Sequence, residues 1–534
     1  MMERMSSRIL PGMPALRRAR GLRLAPLPGL PAALLAAGML LCHAMSWGQP
    51  LPQPVTAGGA GNAWTSAPTP PLLPAPIAQA LLDSGLPLSA VSLWMQAVDE
   101  DRPRLALHGD TPRQMASVMK LLTTGVALRT LGPAYRWHTA AALAGRLDAQ
   151  GVLRGDVHIK ASGDPSLDSM RLAEALRVWR AAGLREIRGD VVVDRSVFAL
   201  SPYDAAAFDE QPLKPYNAGP DAWLLAHGAV SLVLRPDLAK PGQARVTLSP
   251  DMAGIKLDAH VTLDSQAPCG DWRQALQLDI DSGPAQRRAV RLRGRYPAAC
   301  QDQAWPLRWP AATENEHSAR VFEAAWHDVG GRLRGQVREG PWPTHTTTPW
   351  NEWVSPPLAE VIRDINKFSN NVMARQLFLT LGLDADIGHA TLDTARARVS
   401  DQVRQATREH AGAASPCDGA ALQLDNGSGL SRIEIASAHC MARWVQVMWA
   451  DPLMPEWLAS LPVAGVDGTA RRLGVAIGQA HLKTGSLEGV ASIAGIVQSQ
   501  NGRRWVVVVV VNAPRAADAR GLLQATTAWA ADHP

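Results

Sequence analysis

The sequence predicts an α/β (α+β) fold in which one domain is assembled from two separated stretches of chain, with a long β-rich insertion between them. Three observations lead there. Val91, Leu93 and Met95 alternate with Ser92, Trp94 and Gln96, a strand pattern, and helical spacing follows at Val118, Leu121, Leu122 and Val126. Short alternating runs separated by Pro and Gly then dominate between residues 137 and 345. Helical texture returns at Ser355, and the chain closes on two strands flanking Asn501-Gly502.

Residues 1–48 have the layout of an export signal: Arg17, Arg18, Arg20 and Arg23 precede an apolar run through Leu27, Leu30, 32–37 and 39–42, and Ser46-Trp47-Gly48 offers small residues for cleavage. The apolar run is shorter than the ~20 residues a bilayer-spanning helix needs, which disfavours a membrane anchor. Bulky Leu41 disfavours a lipid on Cys42. Residues 49–76, rich in Pro, Gly, Ala and Thr without periodicity, read as a flexible lead-in.

Structure is expected from Ile77 onward. After the strand at 91–96 comes a turn through Asp99–Pro103, a second strand around Arg104–His108, then the helix with Ser117 near its first turn. Strand-like runs at Asp190–Asp194, Ala244–Leu248, Ile255–Leu263, Leu276–Ile280 and Ala289–Leu292 fill the insertion, 137–345, read as one or two accessory domains. Pro356 and Pro357 suit a helix start, and Leu358, Val361, Ile362, Ile365 and Phe368 define its apolar face. A second helix is expected through Val372–Leu381. The runs Ser492–Gln498 and Trp505–Val511 form the closing hairpin. The catalytic domain is therefore placed at 77–136 and 346–534.

At 534 residues with 46% hydrophobic and 19% charged residues, the composition is that of a globular, multi-domain protein. Net charge is +5, but six arginines lie within the first 23 residues and the rest are dispersed, which argues against nucleic-acid binding. No later segment is long and apolar enough to span a membrane, so the mature protein is expected to be soluble. Four cysteines follow the signal, Cys269, Cys300, Cys417 and Cys440, and an even number in an exported chain suggests disulfides. Three pairings are open, with neighbour pairing preferred. No C-x-x-C or H-E-x-x-H spacing supports zinc, and no G-x-S-x-G elbow supports a Ser-His-Asp hydrolase.

Lysine is scarce, at positions 120, 160, 214, 240, 256, 367 and 483 only, and two of these seven fall in short motifs. Ser117-Val118-Met119-Lys120 is the one Ser-x-x-Lys in the chain. On a helix its two functional side chains share a face; burial and a second nearby cation can depress an amine's pKa enough to make it a base, and Lys483 is a candidate for that cation. Ser369-Asn370-Asn371 supplies a hydroxyl able to relay a proton and an amide able to hold a substrate backbone, although Ser and Asn also serve as helix caps. Lys483-Thr484-Gly485 supplies a cation and hydroxyl for a carboxylate, and Gly485 admits close backbone approach. The amides of Ser486 and Ser117 are candidates for an oxyanion hole. In this order the three strings resemble the Ser-x-x-Lys, Ser-x-Asn and Lys-Thr-Gly elements of serine acyl-transferases acting on D-alanyl peptides and penicillins.

The resemblance extends beyond those motifs. Ser355–Leu358, Asn366–Leu377, Leu424–Arg432, Ala464–Thr469 and Leu482–Leu487 look like the class C low-molecular-mass penicillin-binding proteins, the D-alanyl-D-alanine carboxypeptidase/endopeptidases. Ser-Asn-Asn here, against the Ser-Asp-Asn of class A β-lactamases, points toward the peptidases. The resemblance implies a penicillin-binding/β-lactamase-like transpeptidase domain, an antiparallel sheet flanked by helices, interrupted by the insertion. By match of motif, Ser117 is the acylated nucleophile and Lys120 its proton acceptor. Ser369 and Asn371 serve proton relay and substrate holding, and Lys483, Thr484, Gly485 and Ser486 bind substrate.

The expected function is a serine D-Ala-D-Ala carboxypeptidase and endopeptidase of the periplasm, working on peptidoglycan stem peptides and acylated by β-lactam inhibitors, with neither metal nor cofactor. A homodimer and loose membrane association stay open. Two rivals remain: a β-lactamase or esterase on the same scaffold, and a cell-wall-binding protein without catalysis.

Overall fold

The computed structural model describes residues 73–281, 288–313, 315–344, 348–384 and 386–532. The expected signal peptide, Cys42 and all of the lead-in up to residue 72 lie outside the described residues. The first helix, Ala75–Ser84, begins two residues before the expected start, with proline at its first turn and Gly85 closing it at φ +63.

Strands from both ends of the described residues form a five-stranded antiparallel sheet. Its order is Ala480–Leu487, Val490–Gln498, Arg504–Asn512, Val91–Ala97 and Leu105–Leu107. Among the described residues the first strand therefore pairs along its whole length with the last, Val91 opposite Val511 and Ala97 opposite Trp505. The valine run shows how one strand serves two cores. Val506, Val508 and Val510 pack among the helices Lys120–Leu131, Asn371–Leu381 and Ala438–Ala450, whereas Val507, Val509 and Val511 pack against Ala75–Ser84 and Arg520–Asp532. Side chains alternate across a strand, so a strand covered on both faces reads as an unbroken apolar run. Each buried valine contributes about 1.5–3 kcal/mol relative to exposure. The expected hairpin is present; its connection is Ser499–Arg503, in which Gly502 takes φ +85 and the Ser499 amide donates to the Arg503 carbonyl at 2.8 Å.

Between residues 137 and 345 the strand-like runs are strands. A seven-stranded sheet is built around His138–Leu147 and Val152–Lys160. Two three-stranded sheets hold Ala229–Pro236, Ala244–Ser249 and Gln303–Arg308, and Ile255–Asp264, Leu276–Ile280 and Arg288–Pro297. Asn351–Val354 pairs with His138–Leu147, so the larger sheet takes in chain from beyond residue 345. Two helices in this stretch, Ser169–Ala181 and Glu316–Asp328, were not anticipated from the sequence. They bury Leu172, Leu176 and Trp179 against Phe322 and Trp326, and Trp179 also meets Trp350 and Trp353. Both disulfides join neighbours, Cys269–Cys300 and Cys417–Cys440, as preferred.

One expectation fails locally. Leu358, Val361, Ile362 and Ile365 are buried as predicted, but the helix is Leu358–Lys367 and Phe368 lies past its end, 71% exposed. The helical period stops at Lys367, so the spacing no longer assigns Phe368 a face. Among the described residues, no helix is long and apolar enough to cross a membrane.

Candidate active site

Ser117 lies on a 3-10 turn, Ala116–Met119, that runs directly into the helix Lys120–Leu131. Residues three apart eclipse in such a turn, which stacks the Ser117 and Lys120 side chains on one edge. The turn is entered through Ala116 at φ +47, a conformation that costs a residue with a Cβ about 1–2 kcal/mol. Surrounding contacts hold it there. Ser492 Oγ donates to the Met115 carbonyl at 2.7 Å, and Gly485 and Gly429 close on the same backbone.

Lys120 is fully buried. Its amine meets Ser117 Oγ at 2.9 Å, Asn371 Oδ1 at 2.5 Å and the Ser428 carbonyl. Burial, then the nearby charges of Lys483 and Arg375, hold it well below the ordinary lysine range, and Glu434 pulls the other way. The partners have chemical consequences. Both carbonyl oxygens can only accept, so a neutral amine gives its two N–H bonds to them and turns its lone pair to the Ser117 hydroxyl.

The second motif sits between two helices. Ser369 takes φ +57 after the helix Leu358–Lys367 ends, and Asn371 opens the next helix, Asn371–Leu381. The helix cap is the middle residue: Asn370 Oδ1 accepts from the amides of Val372 and Met373 at 3.0 and 3.1 Å. Capping by Asn370 leaves Ser369 Oγ to the Lys483 amine and Asn371 Oδ1 to the Lys120 amine. This helix is tied to the inserted region, since the Gln376 side chain bonds both the amide and carbonyl of Asp221, and Arg375 donates to the carbonyls of Tyr216 and Ala218.

Lys483, Thr484, Gly485 and Ser486 lie on the edge strand Ala480–Leu487. The Lys483 amine, fully buried, donates to Ser369 Oγ at 3.0 Å and to the Thr484 carbonyl at 2.8 Å, and burial lowers its pKa to about 7. A Cβ at Gly485 would stand 2.5 Å from the Met115 carbonyl, so the strand passes against the Ser117 turn and brings exposed Ser486 beside it. Thr484 Oγ1 donates to Thr469 Oγ1 at 2.7 Å. Two residues earlier, the Asp467 carboxylate takes the Lys367 amine at 2.6 Å and the Val463 amide at 2.8 Å.

Six of the eight sequence-predicted residues fall into two bonded groups, and Gly485 and Ser486 follow Lys483 on its strand. One links Ser117, Lys120 and Asn371, the other Ser369, Lys483 and Thr484. Both amines lie inside, and the hydroxyls of Ser117 and Ser369 are half-buried. Ser428, Arg375 and Thr469 were visible only as members of longer strings, and Glu434 gave no signal at all. Gly427 and Gly429, at φ +70 and +77, shape the loop that presents Ser428. Among the described residues, no cluster of His, Cys, Asp and Glu is arranged to hold a metal.

Gly429→Ala tests this packing. Its Cβ would lie 1.8 Å from the Ala116 carbonyl oxygen and 2.9 Å from the Ser117 nitrogen, where only backbone can yield. Displacing the Ser117 turn by even 1 Å is expected to slow acylation about 10²-fold or more. Stopped-flow acylation with a chromogenic β-lactam measures it; an unchanged rate contradicts the packing.

A curated D-alanyl-D-alanine carboxypeptidase of Actinomadura sp. (strain R39) is 29% identical over 411 residues, covering 72% of this chain and 71% of that protein. D-alanyl-D-alanine carboxypeptidase DacB of Haemophilus influenzae is 23% identical over 416 residues, covering 76% and 81%. In fold, the crystal structure of penicillin binding protein 4 from Haemophilus influenzae matches with a TM-score of 0.66 at 20% identity, covering 84% of this chain and 97% of that one. The same protein complexed with a β-lactam matches at 0.60. The family model described as D-Ala-D-Ala carboxypeptidase 3 (S13) matches residues 73–533, and the chain belongs to that family, as the class C resemblance implied.

Proposed function

We propose that this protein is a serine D-Ala-D-Ala carboxypeptidase and endopeptidase of peptidoglycan, acting through an ester on Ser117. The observation that carries the reading is the contact of Ser117 Oγ with an amine that burial and two neighbouring cations hold well below the ordinary lysine range. Ser117 Oγ attacks the carbonyl carbon of the penultimate D-alanine, and its proton passes to Lys120 Nζ. The developing oxyanion faces the amides of Ser117 and Ser486, a contribution of about 3–4 kcal/mol in comparable sites. Collapse breaks the C–N bond, and Ser369, bonded to Lys483, relays a proton to the departing amine. Lys483 and Thr484 hold the substrate carboxylate, and Asn371 holds the acyl chain. Water then hydrolyses the ester. A β-lactam follows the same first step.

The setting is part of the proposal. Residues 1–48 direct export to the periplasm, and two disulfides suit an oxidising compartment. Residues 77–136 and 346–534 form the catalytic domain, with 137–345 as accessory structure. A homodimer and loose membrane association are read by light scattering with and without lipid vesicles.

The test incubates the purified protein with a peptide ending in D-Ala-D-Ala and, separately, with penicillin. Free D-alanine and one persistent penicillin adduct per chain are expected. Rapid penicillin turnover without D-alanine release would favour a β-lactamase or esterase. Neither activity would leave a cell-wall-binding protein.

A further inference from the structure

The loop that completes the Lys120 environment hangs between two fixed ends. Cys417 and Cys440 are buried and bonded to each other, and the segment between them carries Ser428, whose carbonyl accepts from the Lys120 amine. Nothing in the covalent closure sets the middle of that segment. Glu434 does. It is buried, with 1% of its surface exposed, and its carboxylate accepts three backbone N–H bonds from the same loop. Oε1 takes the amides of Gly427 at 3.0 Å and Asp425 at 3.3 Å, and Oε2 takes Gly429 at 2.7 Å. Thr123, on the helix that carries Lys120, donates to the Gly427 carbonyl at 2.6 Å. Gly429 in turn rests on the Ala116–Ser117 backbone. One carboxylate therefore fixes the residues on either side of Ser428.

We propose that Glu434 is the positioning residue of this site: it holds the Asp425–Gly429 loop so that the Ser428 carbonyl meets the Lys120 amine, and its charge opposes those of Lys483 and Arg375 around that amine. This rests on the proposed role of Lys120 as proton acceptor. The charged groups facing Lys120 come from three elements: Lys483 on the edge strand, Arg375 on the helix Asn371–Leu381, and Glu434 beyond the loop. Burial, with the Asp425 charge beside it, raises the Glu434 carboxyl, and the three N–H donors pull against that toward the ionised form. All three bonded partners are donors, an arrangement made for two acceptor oxygens. Glutamine cannot reproduce it, because its NH₂ would face a backbone N–H.

The experiment measures penicillin acylation rate against pH for wild type, Glu434→Gln, Glu434→Asp and Arg375→Gln, with thermal melting as the check on folding. Labelling of wild type at Ser117 is the control; its absence refutes the proposed function itself, not this inference. Glu434→Gln is expected to lower the plateau about 10–100-fold, as the Ser428 carbonyl and the Ser117 backbone lose their hold. Removing an anion near Lys120 favours the neutral amine, so the acid limb moves down by about 1 pH unit. Arg375→Gln removes a cation and must move the limb up. Glu434→Asp, which keeps the charge on a shorter arm, should lose rate while the limb stays in place. A purely structural role predicts slower rates with every limb at the wild-type position, and that result overturns the proposal. Wild-type rates in Glu434→Gln overturn it as well. Should Glu434→Gln not fold, Arg375→Gln and Glu434→Asp still decide, since an unmoved limb in the first or a displaced one in the second is incompatible with it.

Discussion

The Ser117→Ala protein is expected to take up no covalent penicillin and to release D-alanine on the order of 10⁵–10⁶-fold more slowly than wild type. The loss is all-or-none for the adduct because the ester oxygen is gone. Folding should be retained, since the change removes one half-buried oxygen while the Lys120 amine keeps Asn371 Oδ1 and the Ser428 carbonyl as partners. The second bonded group holds a serious competitor. Ser369 Oγ lies 3.0 Å from a second buried amine, Lys483, whose pKa of about 7 leaves it partly neutral at neutral pH. Two features favour Ser117. It stands at the entry of the helix Lys120–Leu131, where the positive end of the helix dipole stabilises an alkoxide. Its amine is also the one depressed by two other cations rather than by burial alone. Intact-mass analysis after penicillin treatment separates the two. Ser369→Ala should keep its adduct while slowing D-alanine release roughly 10²–10⁴-fold through loss of a proton relay. An adduct on Ser117→Ala that vanishes in Ser369→Ala reverses the assignment.

How much of this was legible in the sequence follows from which level of structure fixes each feature. Ser117, Lys120, Ser369, Asn371, Lys483 and Thr484 were readable because the chemistry demands particular side chains, and the chain's shortage of lysine made two of them conspicuous. The valine run was readable as a strand, but its division between two cores appears only once helices are placed on both faces. The cap assignment was ambiguous because Ser, Asn and Asn are all good caps, and only the backbone turn at Ser369 gives the task to Asn370. Ser428 acts through its carbonyl, an atom every residue possesses, so residue type carries no signal. Glu434 touches no proposed substrate and works through hydrogen bonds to a loop that ends five residues upstream. The helices at Ser169–Ala181 and Glu316–Asp328 were masked by the short alternating runs around them, although Leu172, Leu176 and Trp179 do carry helical spacing.

Lys120→Met is the more diagnostic of the two large changes, because it keeps the bulk and removes only the amine. Penicillin acylation is expected to fall about 10²–10⁴-fold, the usual worth of a positioned general base. Stability should change by no more than ~2 kcal/mol, from two opposed effects. Asn371 Oδ1 and the Ser428 carbonyl lose a donor, each costing about 1–3 kcal/mol if left bare. Against this, a fully buried amine surrounded by Lys483 and Arg375 is itself unfavourable, and methionine relieves that. The pH profile of the wild type gives the same reasoning a second handle. Acylation needs Lys120 neutral, so activity rises as pH climbs through its pKa, which lies well below the ordinary lysine range. Binding a carboxylate needs Lys483 charged, so kcat/KM should decline as pH rises through about 7. A bound carboxylate stabilises the Lys483 ammonium, which places the corresponding limb of kcat at higher pH than that of kcat/KM. Lys120→Met should lose the acid limb while Lys483 still governs the basic one. An undiminished acylation rate in Lys120→Met, or an acid limb that survives the substitution, assigns the proton transfer to another group.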